Sequence, residues 1–325
     1  MAQNKIYPFA VASVRSMENK LLTTQKLMQM AEAKSPEEAL RLLSDSAYGK
    51  TQIKDVHEFE NMIKVHLEET YAEVANLMAS EAFIDIFLYK NDYHNLKVLI
   101  KEEVSKVSGK QFLLDGGTIS VEALRKSFRE RNYAEMTNMD ADAIEEAIAM
   151  YAKTRNARYI DTILDKACFG SMEKAAKKLK NAYVEGYVCM LADITNLKSL
   201  LRIKKSNRAF EVFEECVVPG GSIGGETFAR AFRSESAIAV LKETVYGNLC
   251  EQYMNQGFTV FEKACDDYLM EYIKDAKYKT LTPEPVMAYI LAKETEAKCI
   301  RIIMTCKLHD ISVDTIKERV RESYV

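Results

Sequence analysis

A short polar motif recurs three times at nearly equal spacing, and it constrains the fold more than any other feature of the chain. Each copy has an acid, Asn three positions later, then an aliphatic and a base. Asp92, Asn95, Leu96, Lys97 is the first and Asp193, Asn196, Leu197, Lys198 the second. Glu296, Cys299, Ile300, Arg301 is a third copy with the Asn replaced. The anchor positions 95, 196 and 299 lie 101 and 103 residues apart. Recurrence of this kind makes each copy one structural unit. Three such units suggest a ring, a funnel or a short solenoid, not a cleft with one catalytic site.

Two further landmarks keep the same order. A small residue, an aromatic and a glycine occur as Ala47-Tyr48-Gly49, Cys168-Phe169-Gly170 and Val245-Tyr246-Gly247. After each anchor comes a restart signal: Thr118 to Leu124, Ser222 to Phe228, and Asp310 to Ile316. The last has no unit after it, so a terminal segment of this kind is expected to close the array onto the first unit.

The units are expected to be helical nearly throughout. Only 12 Gly and 5 Pro interrupt a chain rich in Ala, Leu, Lys, Glu and Met. Ser35-Pro36-Glu37-Glu38 reads as a capped helix start, with Glu38 completing a capping box. An opening helix carries Phe9, Val14, Met17, Leu21 and Leu22 on one stripe. Residues 56–107 read as two helices in a row or one bent helix. Gly116-Gly117 breaks the pattern, and Ser120 and Asp140 start further helices. Residues 171–205 read as a second long helical stretch, and Thr282-Pro283-Glu284 opens a third, to about Lys307. Each unit thus has short helices and then a long one that bears the anchor. The units are placed at residues 1–110, 111–210 and 211–325.

On a helix the acid and the Asn at i and i+3 share a face. Three such faces would present acid, amide and base to a common axis. The alternative is that each Asn pins a helix junction in its own unit through local backbone bonding.

Charge and chemistry exclude several classes. A net charge of −3 makes nucleic acid an unexpected partner. Residues 171–208 hold nine Lys/Arg against three acids, either a solvated face or a surface for an acidic partner. Glu135 to Glu146 holds five acids and no base. No apolar run reaches the roughly 18 residues that cross a bilayer, and a cytoplasmic protein is expected. The seven Cys form no CxxC pair and are expected to be reduced, mostly buried thiols. His57, His66, His94 and His309 show no metal-ligand spacing. The glycines around Ser222 lack the Lys-Ser/Thr ending of a phosphate loop. No nucleophile motif occurs. No catalytic residue, metal or cofactor is therefore expected. Asp266-Asp267 is the best enzymatic decoy: paired aspartates on a helix suit a magnesium-diphosphate site, but only with further oxygen ligands on a facing helix, and Asn91-Asp92 begins a similar motif without the acid needed at Leu99.

The opening Ile6-Tyr7-Pro8-Phe9-Ala10-Val11-Ala12-Ser13-Val14-Arg15-Ser16-Met17-Glu18 resembles the N-terminal signature of the C subunits of A/V-type ATPases, the family that includes the d subunit of eukaryotic V-ATPase. The repeated motif and the closing Lys293 to Ile303 resemble it too, and the likeness spans essentially the whole chain. Ser13, where a base is common, and Cys299, where Asn is usual, depart from it. The resemblance implies an all-α fold of three pseudo-threefold-related helical domains forming a funnel. It implies a non-catalytic central-stalk subunit, peripheral on the cytoplasmic face of the membrane. There it would couple the stalk to the proteolipid ring for proton or sodium transport or ATP synthesis. Its partners would be that ring and the other stalk proteins. The docking candidates are Asn95, Lys97, Asn196, Lys198, Arg202, Lys298 and Arg301, with Arg15 from the opening signature. The competing readings are a helical scaffold and a magnesium-dependent terpenoid-synthase-like enzyme.

Overall fold

The computed structural model describes residues 6–51, 55–78, 82–134, 136 and 139–325. All regular structure among them is helical, and the fold is all-α. Compact packing divides the chain into two units, Met1–Glu81 with Val245–Val325, and the contiguous Ala82–Thr244.

The first unit opens with α1 (Ile6–Glu18), α2 (Thr24–Glu32), α3 (Pro36–Arg41) and α4 (Phe59–Leu77). The second holds α5 (Ala82–Ser105), α6 (Val121–Glu130), α7 (Ala141–Thr154), α8 (Arg158–Leu179), α9 (Ala182–Lys205), α10 (Phe210–Cys216), α11 (Gly225–Arg233) and α12 (Ala237–Leu241). The chain then returns to the first unit with α13 (Gly247–Tyr253), α14 (Phe258–Lys274), α15 (Glu284–Leu308) and α16 (Val313–Arg319).

Local chemistry sets many of these boundaries. The Ser35 hydroxyl accepts the Glu38 N–H at 3.2 Å, and the Glu38 carboxylate accepts the Lys34 N–H at 2.6 Å. That is the expected capping box, displaced by one residue on its return arm. Asp140 and Asn181 cap α7 and α9 in the same way. Residues 171–205 are not one helix, however. The chain turns at Lys180 in the left-handed region (φ 52°), and Asn181 restarts it. No Gly or Pro marks that turn, which is why the periodicity runs through it. The basic stretch is divided as a result. Its first lysines end α8, and Arg202 to Arg208 lie about 33 Å away along α9. The excess is therefore not one patch. Of the acidic stretch, Glu135 lies outside the described residues. Phe9 is 67% exposed and leaves the expected stripe, and α1 stops before Leu21 and Leu22.

The anchor helices are the most buried. In α15 every residue from Glu284 to Lys293 is buried, so this helix is enclosed all round and forms the centre of its unit. Ile300, Ile303 and Met304 on α15 pack with Leu27, Met30, Leu43, Phe59 and Ile63. In the second unit Leu96 and Ile100 of α5, Leu164 of α8 and Leu197 and Leu200 of α9 are fully buried.

The aromatic–glycine landmarks do not occupy equivalent places. Ala47–Lys50 is a 3-10 turn, Cys168-Phe169-Gly170 lies inside α8, and Gly247 begins α13. The end of each anchor helix is a better marker. Lys106, Asn207 and Asp310 all adopt positive φ (60°, 51° and 53°), each eleven residues after its anchor.

Candidate functional site

In α5, Asp92 and Asn95 are both fully buried and face one loop. The Asn95 side chain takes the Leu114 N–H on Oδ1 and gives its own N–H to the Leu114 carbonyl, both at 2.8 Å. Asp92 Oδ2 accepts the Thr118 N–H (3.0 Å) and hydroxyl (2.7 Å), and Oδ1 accepts the Ile119 N–H (3.4 Å). The acid and amide of one helical turn thus clasp the loop that leads into α6, where Ser120 is the cap. Burial pushes the Asp92 carboxyl above its usual range, and the Thr118 and Ile119 donors offset part of that.

The same geometry recurs in α9. Asn196 exchanges both bonds with Val218, at 2.8 and 2.9 Å. Asp193 accepts the Ser222 N–H (2.9 Å), the Ser222 hydroxyl (2.6 Å) and the Ile223 N–H (3.0 Å). Each clasp demands a glycine. A Cβ on Gly117 would sit 2.0 Å from Asp92 Oδ1, and one on Gly221 2.3 Å from Asp193 Oδ1. The carboxylate fills the space that a side chain would need.

The third clasp is built from both ends of the chain. Cys299 donates its thiol to the Arg321 carbonyl at 3.6 Å, 22 residues on, as Asn196 reaches Val218. Glu296 does not hold Asp310-Ile311-Ser312, the expected restart; those residues turn out of α15 and cap α16. Its Oε2 accepts the Leu22 N–H at 2.5 Å instead, just before the Thr23 cap of α2. Leu22 therefore stands where Ile119 and Ile223 stand in the other clasps. Leu21 supplies no hydroxyl there, and the Lys293 ammonium takes over, 2.5 Å from Glu296 Oε1 and 1% exposed. The Ser323 hydroxyl, donating to the Leu22 carbonyl at 2.7 Å, ties the two termini together.

The enzymatic decoy has a structural use. Asp266 holds Lys298 Nζ (2.5 Å) and Arg321 Nε (2.8 Å), and Asp267 accepts the Glu322 N–H (2.7 Å). Both carboxylates fasten the C-terminal segment. Among the described residues no group of three or more His, Cys, Asp or Glu side chains is placed to hold a metal ion.

The expected docking residues fall into two groups. Asn95 and Asn196 are buried, and both commit their amides to backbone. Arg15 is half-buried and pairs with Glu18 at 2.8 Å. It also donates to the carbonyls of Ala276, Lys277 and Lys279 at 2.8 to 3.2 Å, fixing the turn after α14. The remaining bases are nearer the surface. Lys97 pairs with Asp165 on α8, and Arg301 with Glu60 on α4, at 2.5 and 2.8 Å. Arg202 is exposed and Lys198 half-buried.

No helix among the described residues is long and apolar enough to cross a membrane. Residues 10–319 match the profile of a family described as ATP synthase (C/AC39) subunit. The C subunit of the V-type sodium ATPase of Enterococcus hirae is 23% identical over 96% of this chain and 97% of that protein. The C subunit of the A-type ATP synthase of Pyrococcus abyssi is 24% identical, over 97% and 90%. That of Methanocaldococcus jannaschii is 25% identical, over 96% and 85%.

Proposed function

The chain belongs to the ATP synthase (C/AC39) subunit family, and from that premise we propose that it is a non-catalytic central-stalk subunit of a rotary A/V-type ATPase. It acts as a socket on the cytoplasmic face of the membrane, coupling the stalk to the proteolipid ring. The family match along nearly the whole chain is the observation that carries this reading. The polar chemistry agrees with it. The buried acids of the three anchors, with the two amides and the Cys299 thiol, are consumed in holding backbone, as suits a body that transmits force rather than one that turns over substrate.

Docking falls to the outer bases. The Lys298 and Arg301 side chains are 44% and 47% exposed. The Arg301–Glu60 pair, about half exposed on both sides, contributes about 0–1 kcal/mol, so Glu60 is exchanged for a partner's acid with little loss. Arg202, Lys198 and Lys97 complete the set. Scattered charged contacts of this kind tolerate a mismatch between a few repeated units and a ring of many identical loops. Asn95, Asn196 and Arg15 act behind them, by positioning.

The test is co-purification with the proteolipid ring and the stalk. Reversing Lys97, Lys198 and Arg301 to Glu together is expected to weaken assembly. A control adds Asp165→Lys and Glu60→Lys, which restores the internal pairs with the surface charge still reversed, and it is expected to stay weak. Unchanged assembly of the triple variant removes the docking role. A wild-type chain that captures neither ring nor stalk removes the function.

A further inference from the structure

We propose that the loop of residues 106–112, at the end of α5, is a membrane-interfacial contact that binds anionic lipid headgroups. It rests on the reading that this subunit works beside a membrane.

Val107 and Phe112 are 68% and 60% exposed within this one short loop. Lys106 and Lys110 are exposed beside them, and neither forms an ion pair among the described residues. No acid occurs from Val104 to Leu114. The loop is held in shape from beneath. The Lys106 N–H reaches the Glu102 carbonyl at 2.9 Å, and the Gly109 N–H reaches the Glu102 carboxylate at 3.3 Å. His94 Nε2 meets the Phe112 carbonyl at 2.9 Å, and Asn95 clamps Leu114. A Cβ on Gly109 would lie 2.7 Å from Val98 Cγ1, so the loop is seated directly on α5. Its ordering cost is met before any partner arrives.

Two apolar tips flanked by two cations, with no acid in the loop itself and the Glu102 carboxylate beneath it paired to Arg125, complement a layer of phosphates over hydrocarbon. A protein groove is a poorer match. A stable interface takes about 800 Å² from each partner, more than so short a loop presents. A planar anionic surface sets no such requirement. Each lysine near such a surface strengthens binding about fivefold. The loop is thus a weak, salt-sensitive anchor that assists a subunit held chiefly by its complex.

The chain has no Trp, so Phe112→Trp gives an emission that reports this loop alone. The full-length variant is titrated with phosphatidylglycerol-containing vesicles and with pure phosphatidylcholine vesicles. A blue shift with the first, absent with the second and reversed by salt, is expected. Adding Lys106→Gln and Lys110→Gln should lower partition about thirty-fold. Far-UV circular dichroism of each variant checks that the fold is kept. No shift with anionic vesicles, or an equal shift with neutral ones, overturns the proposal. So does a shift that appears only with detergent-solubilised proteolipid ring, since the loop then docks on protein. Ring capture is scored in a separate assay without vesicles, so failure of the lipid contact and failure of the proposed function are told apart.

Discussion

Asp193 and Gly221 are coupled through a single point of space, and a double-mutant cycle reads that coupling directly. Asp193 is fully buried and accepts three hydrogen bonds from Ser222 and Ile223. Asp193→Ala strands those donors. Ser222 is exposed and Ile223 half-buried, so water replaces part of what the donors lose, and the expected loss is about 1–3 kcal/mol. Gly221→Ala places a methyl 2.3 Å from Asp193 Oδ1 and must push the carboxylate off its donors. Overpacking of this kind costs about 1–3 kcal/mol. In the double variant the obstructing oxygen is gone. The next contact, the Asp193 backbone N at 3.3 Å, is tight but tolerable. The double variant should therefore be about as stable as Asp193→Ala alone, a coupling equal to the Gly221→Ala loss, about 1–3 kcal/mol. Urea unfolding followed by far-UV circular dichroism measures all four corners. Two losses that add within about 0.5 kcal/mol would show that the glycine and the acid do not share that space.

Three other outcomes follow from the same geometry. Lys106 holds a left-handed conformation (φ 60°) to which its side chain is unsuited. Lys106→Gly should gain up to about 1 kcal/mol, and Asn207→Gly clearly less because Asn tolerates that region; thermal midpoints of the two variants test this. Deleting Arg321–Val325 removes the Arg321 and Ser323 contacts, leaving Asp266 with Lys298 alone and Glu262 without Arg321. It should destabilise the first unit and expose the Leu22 amide to hydrogen exchange, while amides of residues 82–244 keep their protection. Burial, with Lys293 and Lys50 adding to it, pushes His66 down from 6.5 to about 3. The unfolded chain takes up that proton first as pH falls, so stability present above 6.5 is lost between there and about 3. At about pH 5 the loss is about 2 kcal/mol, and His66→Phe should flatten the acid side of the urea-midpoint profile.

The motif is legible in the sequence because polar residues at i and i+3 inside apolar helices stand out wherever they lie. Its direction is not. An acid and an Asn on a helix read equally well as a surface or as a clamp, and only the burial of Asp92 and Asn95 decides between them. The first two restarts are visible because Thr118 and Ser222 carry hydroxyls that the carboxylate needs. The third is hidden because Leu21 has none and Lys293 replaces it, ten positions before Ile303 in a run that reads as plain core helix. Asp310-Ile311-Ser312 is a persuasive substitute, since any helix end in the left-handed region followed by a Ser cap looks like a restart. The break at Lys180 escapes notice for a similar reason, as a lysine carries no turn signal.

The division of the third clasp between the two ends of the chain orders events during synthesis. Residues 82–244 form an uninterrupted unit whose internal partners are all made within that one stretch. Leu22 is made 274 residues before Glu296 and 301 before Ser323, which hold it. The first unit therefore lacks this latch until Glu296 and Ser323 have been made. A chain that stops before Ser323 leaves the Leu22 carbonyl without that hydroxyl and the unit unlatched.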